Sequence, residues 1–173
     1  DIIKGRGNGQ LRMVYDLDKK FYMFGSFAVE QGEYSFSLPG INLLKRISLD
    51  KGGSIVWDGD PFNATVDLVG RIEKKISPST LMITSVGAKT SYPATKIISL
   101  LTLKGNLFSP SIGFDILAPD LSSTGGTSAN EVNSVIQRIR SDKDETMRQA
   151  VALLLFGNFI PPSFSNSGAT SDP

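Results

Sequence analysis

The chain has 173 residues and mixes 18 basic with 17 acidic side chains for a net charge of +1, enough length for one domain with a real core and no basic block for nucleic acid. It contains no Cys and no His, which excludes thiol nucleophiles, His-based triads and Cys/His zinc sites. Its longest apolar run, residues 150–156, is too short to span a bilayer.

In chain order, residues 1–8 read as a glycine-containing lead-in. Gly5-Arg6-Gly7-Asn8-Gly9 lacks the preceding strand and following helix that a phosphate-binding loop requires. From Gly9 the period is two, with Leu11, Met13 and Tyr15 on one face before residues 17–20 turn the chain. Residues 21–29 form a long strand, apolar on both faces at its start, with Gly25 a bulge or a site of close approach. Gln31-Gly32 predicts a turn, residues 33–38 alternate cleanly, and a further strand follows Pro39-Gly40 over residues 41–50.

Residues 51–70 carry the clearest hairpin chemistry. Gly52-Gly53 turns into the β-forming run Ser54-Ile55-Val56-Trp57, and Asp58-Gly59-Asp60-Pro61 stops it. A second alternating run, residues 63–71, sets Ala64, Val66, Leu68 and Gly70 against Thr65, Asp67 and Arg71. Glu73-Lys74-Lys75 then reads as a charged break, residues 81–86 as a modest strand and 87–93 as a polar loop. Strands over 95–104 and 111–117 follow, the latter with Ile112, Phe114 and Ile116 on one face.

The period then changes. After a small-residue linker at 122–128, Val132, Val135, Ile136 and Ile139 stand at helical spacing. Ser141 or Asp142 caps a second helix that runs to Phe156, and Pro161-Pro162 prevents its continuation. Residues 165–173 have nothing to bury and are expected to be disordered. No repeat of fixed period is visible.

Catalytic chemistry finds no constellation here. Asp58, Asp60 and Asp67 read as turn and surface residues rather than metal ligands. Ser48-Leu49-Asp50-Lys51 matches S-x-x-K without its companion motifs, and nothing singles out one carboxylate pair. Neither an enzyme nor a cofactor or metal site is therefore expected. The large apolar residues on both faces of 21–29 and 95–104 leave two readings open: a two-sided core, or a curved sheet whose concave face receives an acyl chain.

Three separated segments in fixed order carry a family resemblance. These are S-I-V-W-D-G-D-P-F-N-A-T-V-D-L-V-G preceded by G-E-Y-S-F-S-L-P, then L-T-L-K-G-N-L-F-S-P-S-I-G-F-D-I-L-A-P, then R-Q-A-V-A-L-L-L-F-G-N-F-I-P-P. Over residues 9–164 the chain resembles the TamB C-terminal domain, of the AsmA-like envelope proteins, in the form seen in Bacteroidota. The resemblance implies a gutter-shaped β-structure with an apolar interior in the periplasm of a Gram-negative bacterium. It also implies an inner-membrane anchor, which the start at Asp1 leads us to expect upstream, and a BamA-like outer-membrane partner. The family's implied roles are phospholipid transport between the membranes and assistance in outer-membrane protein assembly. The final segment departs from the family pattern, with a Leu-rich helix and Pro161-Pro162 in place of a last strand suited to pairing with a barrel.

The expectation is thus a mainly β fold: a curved antiparallel sheet of about eight to ten strands forming an apolar groove over residues 1–121. A linker (122–128), a helical segment closing the sheet (129–164) and a tail (165–173) follow. The expected groove lining is Met13, Tyr15, Phe21, Met23, Phe27, Tyr34, Phe36, Val66, Leu68, Leu101, Ile112 and Phe114. A one-residue slip would invert the parity of any strand. Expected partners are phospholipid acyl chains and the BamA-like protein, with self-association possible through open sheet edges. An assembly chaperone and an envelope enzyme are the competing classes. The first predicts contacts with barrel precursors at strand edges, the second a polar pocket.

Overall fold

Alternating side chains build strands and three-to-four-residue spacing builds helices in the computed structural model of the chain, which describes residues 2–37, 44–83, 91–121 and 126–164. The strands are β1 (Ile2–Tyr15), β2 (Phe21–Ser37), β3 (Leu44–Leu49), β4 (Ser54–Gly59), β5 (Thr65–Ile76), β6 (Thr95–Asn106) and β7 (Ser111–Leu117), followed by helices α1 (Thr127–Ser141) and α2 (Lys143–Leu155). The seven strands make one sheet in the order β1-β2-β3-β5-β6-β7, with β4 beside β2 and β5. The chain is mainly β and antiparallel, with two C-terminal helices.

Several expected boundaries move. The glycine-rich lead-in is part of β1, paired with β2 along its whole length from Ile2↔Ser35 to Tyr15↔Phe21. Gln31-Gly32 is no turn: β2 runs straight through it, absorbing one extra residue at Glu30 opposite Arg6/Gly7 as a bulge. The turn expected at Gly52-Gly53 is present at residues 51–52, but it joins strands that do not pair with each other. Both β3 and β4 are antiparallel to β2, so they run in line as one strand broken at residues 50–53. The break is stitched across by Val29 N donating to Gly53 O (2.7 Å), Gly52 N to Val29 O (2.9 Å) and Asp50 N to Val69 O (2.8 Å). Arg71 clamps it, with Nη2 2.8 Å and Nε 2.9 Å from the Asp50 carboxylate.

The charged break at Glu73-Lys74-Lys75 is continuous β5, with Glu73 2.9 Å from Lys96 on β6. In place of a strand from residue 81, the chain forms a 3₁₀ turn, Pro78–Met82, capped by Ser77 Oγ and burying Pro78, Leu81 and Met82. The expected strand's last residues, 84–86, and the expected turn Pro39-Gly40 lie outside the described residues. The described residues hold seven strands rather than eight to ten because the first strands are long and this segment is not one.

By contact the chain divides into two units. The first comprises Asp1–Arg71 with Leu101–Gly113, and the second Ile72–Leu100 with Phe114–Pro173. In the second, Ile76, Leu81, Ile97, Ile116, Val132, Ile136, Ile139, Ala150, Leu153 and Phe159 form one core. Asp142 caps α2 through its side chain, which accepts from Asp144 N and Glu145 N.

Candidate functional site: an apolar sheet face

The registers put one set of side chains on a single face of the first unit. Along β1 the odd residues from Gly5 to Tyr15 lie there, and Tyr15↔Phe21, Met13↔Met23, Leu11↔Gly25 and Gly9↔Phe27 carry that face onto β2. The Glu30 bulge then switches the parity of β2, so Tyr34 shares the face with Val29. Tyr34↔Ile47, Phe27↔Ile55, Gly25↔Trp57 and Ile55↔Val66 extend it to β3, β4 and β5. A Cβ on Gly70 would meet Leu101, which brings in β6. A Cβ on Gly113 would meet Thr102 on the opposite face, so alternation returns Ile112 to the Leu101 side.

Among the described side chains, no charged residue occupies these face positions. Glycine makes room where the face is crowded: Cβ atoms on Gly7 and Gly9 would come within 2.8 and 3.2 Å of the Phe27 ring, which lies across them. Phe27, Tyr34, Ile55, Leu103 and Leu107 pack around a buried centre of Val29, Leu49, Val66 and Leu68. Toward β1 and β7 the same face opens to solvent, from 2% exposure at Val66 to 69% at Tyr15. The reverse face is polar and ion-paired, with Asp67–Lys104 at 3.2 Å. On that face Tyr22 and Phe24 stack at 6.5 Å with the Arg12 guanidinium over the Phe24 ring, which accounts for the apolar residues on both sides of β2.

Of the expected lining residues, Met13, Tyr15, Phe21, Met23, Phe27, Tyr34, Val66, Leu68, Leu101 and Ile112 thus fall on one face of the first unit. Met13, Tyr15, Phe21 and Ile112 are exposed, whereas Val66 and Leu68 are core. Phe114 belongs elsewhere, packed against the core of the second unit. The side chain of Phe36 lies outside the described residues.

The second unit holds a cleft of about 320 Å³ lined by Lys75, Pro78, Tyr92, Leu121, Ser128 and Val132 among others. Tyr92 donates from its hydroxyl to Glu131 Oε2 at 3.0 Å, and burial together with that carboxylate raises its pKa. Glu145 lies in the first turn of α2. Its buried carboxylate takes Arg148 Nε (3.0 Å), Gln149 Nε2 (2.8 Å) and Ser163 Oγ (2.7 Å). Burial alone would raise its pKa, but these bonds prevail and hold it at about 2. No group of three or more Asp, Glu, Cys or His among the described residues could hold a metal ion. Asp60 and Asp67 are accounted for by the amide of Phe62 and by Lys104.

Among the described residues no helix is long and apolar enough to cross a membrane. No curated protein and no solved structure matches the chain. The family model of the TamB C-terminal domain matches residues 1–172. The chain therefore belongs to the TamB C-terminal domain family, translocation and assembly modules of the Gram-negative envelope.

Proposed function

We propose that the apolar face of the first unit is the wall of a curved groove that shelters phospholipid acyl chains in passage between the inner and outer membranes. The observation that supports this reading is the uncharged strip running from exposed Tyr15, Met13 and Phe21 to buried Val66 and Leu68. Each methylene leaving water against it contributes about 0.8 kcal/mol, so an acyl chain needs no covalent chemistry to be held. Backbone ladders maintain the wall, and its outer face stays wet.

Binding of a tail-labelled phospholipid to the purified chain tests this. Met13→Glu, on the apolar face, should weaken binding about tenfold, the loss expected for one poorly solvated contact region. Gln10→Glu, one position off that parity, should leave it unchanged. Equal effects of the two, or no binding by the parent chain, would remove the reading.

A second reading, assembly of outer-membrane proteins with a BamA-like partner, is favoured by β1, which stands at the end of the described sheet over 14 residues. Such an edge offers backbone donors and acceptors to an incoming strand. Cross-linking from β1 to barrel precursors, with no lipid captured on the face, would favour this alternative.

A further inference from the structure

Three turns at one end of the first unit share a construction that the strand pattern does not require. Residues 16–20 join β1 to β2, 60–64 join β4 to β5, and 107–110 join β6 to β7. Register places them together: Tyr15 pairs Phe21, Met23 pairs Gly59, and Leu107 N donates to Ala64 O at 2.8 Å. In each turn an Asx side chain accepts from the amide two residues on. Asp16 Oδ1 takes Asp18 N (3.0 Å), Asp60 Oδ1 takes Phe62 N (2.9 Å) and Asn106 Oδ1 takes Phe108 N (2.9 Å). In each, the next amide closes back on the Asx carbonyl: Lys19 N to Asp16 O, Asn63 N to Asp60 O and Ser109 N to Asn106 O.

Two of the turns are also alike in sequence, Gly59-Asp60-Pro61-Phe62-Asn63 and Gly105-Asn106-Leu107-Phe108-Ser109, each opened by a glycine at positive φ (117° and 96°). Each of the three turns presents one large apolar side chain to solvent: Leu17 at 101%, Phe62 at 71% and Phe108 at 68% exposure. The two rings lie 6.2 Å apart, and Asn106 Nδ2 bonds Asn63 Oδ1 to tie their turns together.

We propose that this end of the first unit seats in the surface of a lipid bilayer, with Leu17, Phe62 and Phe108 as shallow anchors. Preorganised amides favour lipid over a protein partner. Six donors at the tips are already bonded within their own turns, so the tips can leave water without stranding them. The apolar groups are one separate Leu17 and one Phe62–Phe108 pair, a small patch that suits shallow insertion into a fluid surface. A protein partner would need a contiguous, complementary patch of about 800 Å². Asp18, Lys19, Lys20 and Asp58 flank the tips and limit their depth to the headgroup boundary. With Asp16 and Asp60 in the turns themselves these charges sum to −2, so binding should not require anionic lipid. This inference goes beyond the acyl-chain reading, and Met13→Glu should weaken the one about tenfold while leaving the other unchanged.

The absence of Cys permits single labels. Leu17→Cys, Phe62→Cys and Phe108→Cys would each carry an environment-sensitive fluorophore, with Ile83→Cys, exposed in the second unit, as control. With vesicles of dioleoylphosphatidylcholine containing lipids brominated near the headgroup, the three tips should shift to the blue and be quenched, and Ile83 should not. Leu17→Glu, Phe62→Glu and Phe108→Glu should each lower vesicle partitioning about tenfold, with an unchanged circular dichroism spectrum. Unquenched tips, quenching equal to that at Ile83, or tips that cross-link to protein yet ignore vesicles would overturn the proposal.

Discussion

Replacing Glu145 by Ala should destabilise the second unit by roughly 3 kcal/mol at pH 7, read from urea unfolding, and the gap to the parent protein should close in acid. The carboxylate fastens the segment after α2. Arg148 Nη2 donates to Pro161 O (2.6 Å), Gln149 donates to Ile160 O (2.8 Å) and accepts from Ile160 N (3.1 Å), and Glu145 orients both side chains while bonding Ser163. Pro161 and Pro162 have no amide of their own, so α2 side chains supply what backbone pairing cannot. The folded pKa of Glu145 lies below its ordinary value of 4.5, at about 2. Its contribution is therefore complete above pH 4.5 and is lost as pH falls toward about 2. A gap between parent and variant that stays constant across that window would show that the charge does not hold the segment.

Gly25→Ala should cost the first unit about 3 kcal/mol or more, well beyond an ordinary glycine substitution. Gly25 has φ of 121°, and a Cβ there would stand 2.0 Å from the Gln10 carbonyl oxygen, a backbone atom that cannot swing away. Strain and collision act together. At Gly105 φ is 96° but the space is open, so Gly105→Ala should cost only about 1 kcal/mol. At Gly5 the nearest atom to a Cβ is 3.6 Å away and the backbone is in β1, so Gly5→Ala should be neutral to within about 0.5 kcal/mol. Thermal and urea unfolding of the three variants should reproduce that order. Equal costs would mean that β1 and β2 do not approach as closely as their register requires.

Alternation made β7 legible, apolar runs on both faces marked most of β6 and the first half of β2, and the spacing of Val132, Ile136 and Ile139 with Asp142 as cap made both helices legible. What escaped depends on partners distant in sequence. Gly5, Gly7 and Gly9 carry no side chain to alternate, and their place in β1 shows only when Phe27 lies over them. Gly32 looks like a turn residue, yet its missing side chain leaves room for Leu49 of β3, since a Cβ would come 2.9 Å from Leu49 Cδ1. The parity switch at Glu30 is equally silent in the sequence, although it explains why odd residues to Val29 and even Tyr34 share one face. The Glu145 network joins residues up to 18 apart through side chains alone and leaves no periodic trace. The paired Gly-Asx-x-Phe turns did leave one, in Gly59–Phe62 and Gly105–Phe108, but at a separation too long to read as a repeat.

The central claim, that the uncharged face of the first unit meets acyl chains, is tested most directly by photo-cross-linking in cells along β2. A benzophenone amino acid placed in turn at Met23 and Phe27, on the apolar face, and at Phe24 and Ser26, on the reverse face, samples both parities of one strand. The account predicts phospholipid adducts at Met23 and Phe27 and none at Phe24 or Ser26. Equal lipid capture at all four positions, or only protein adducts at Met23 and Phe27, would contradict it.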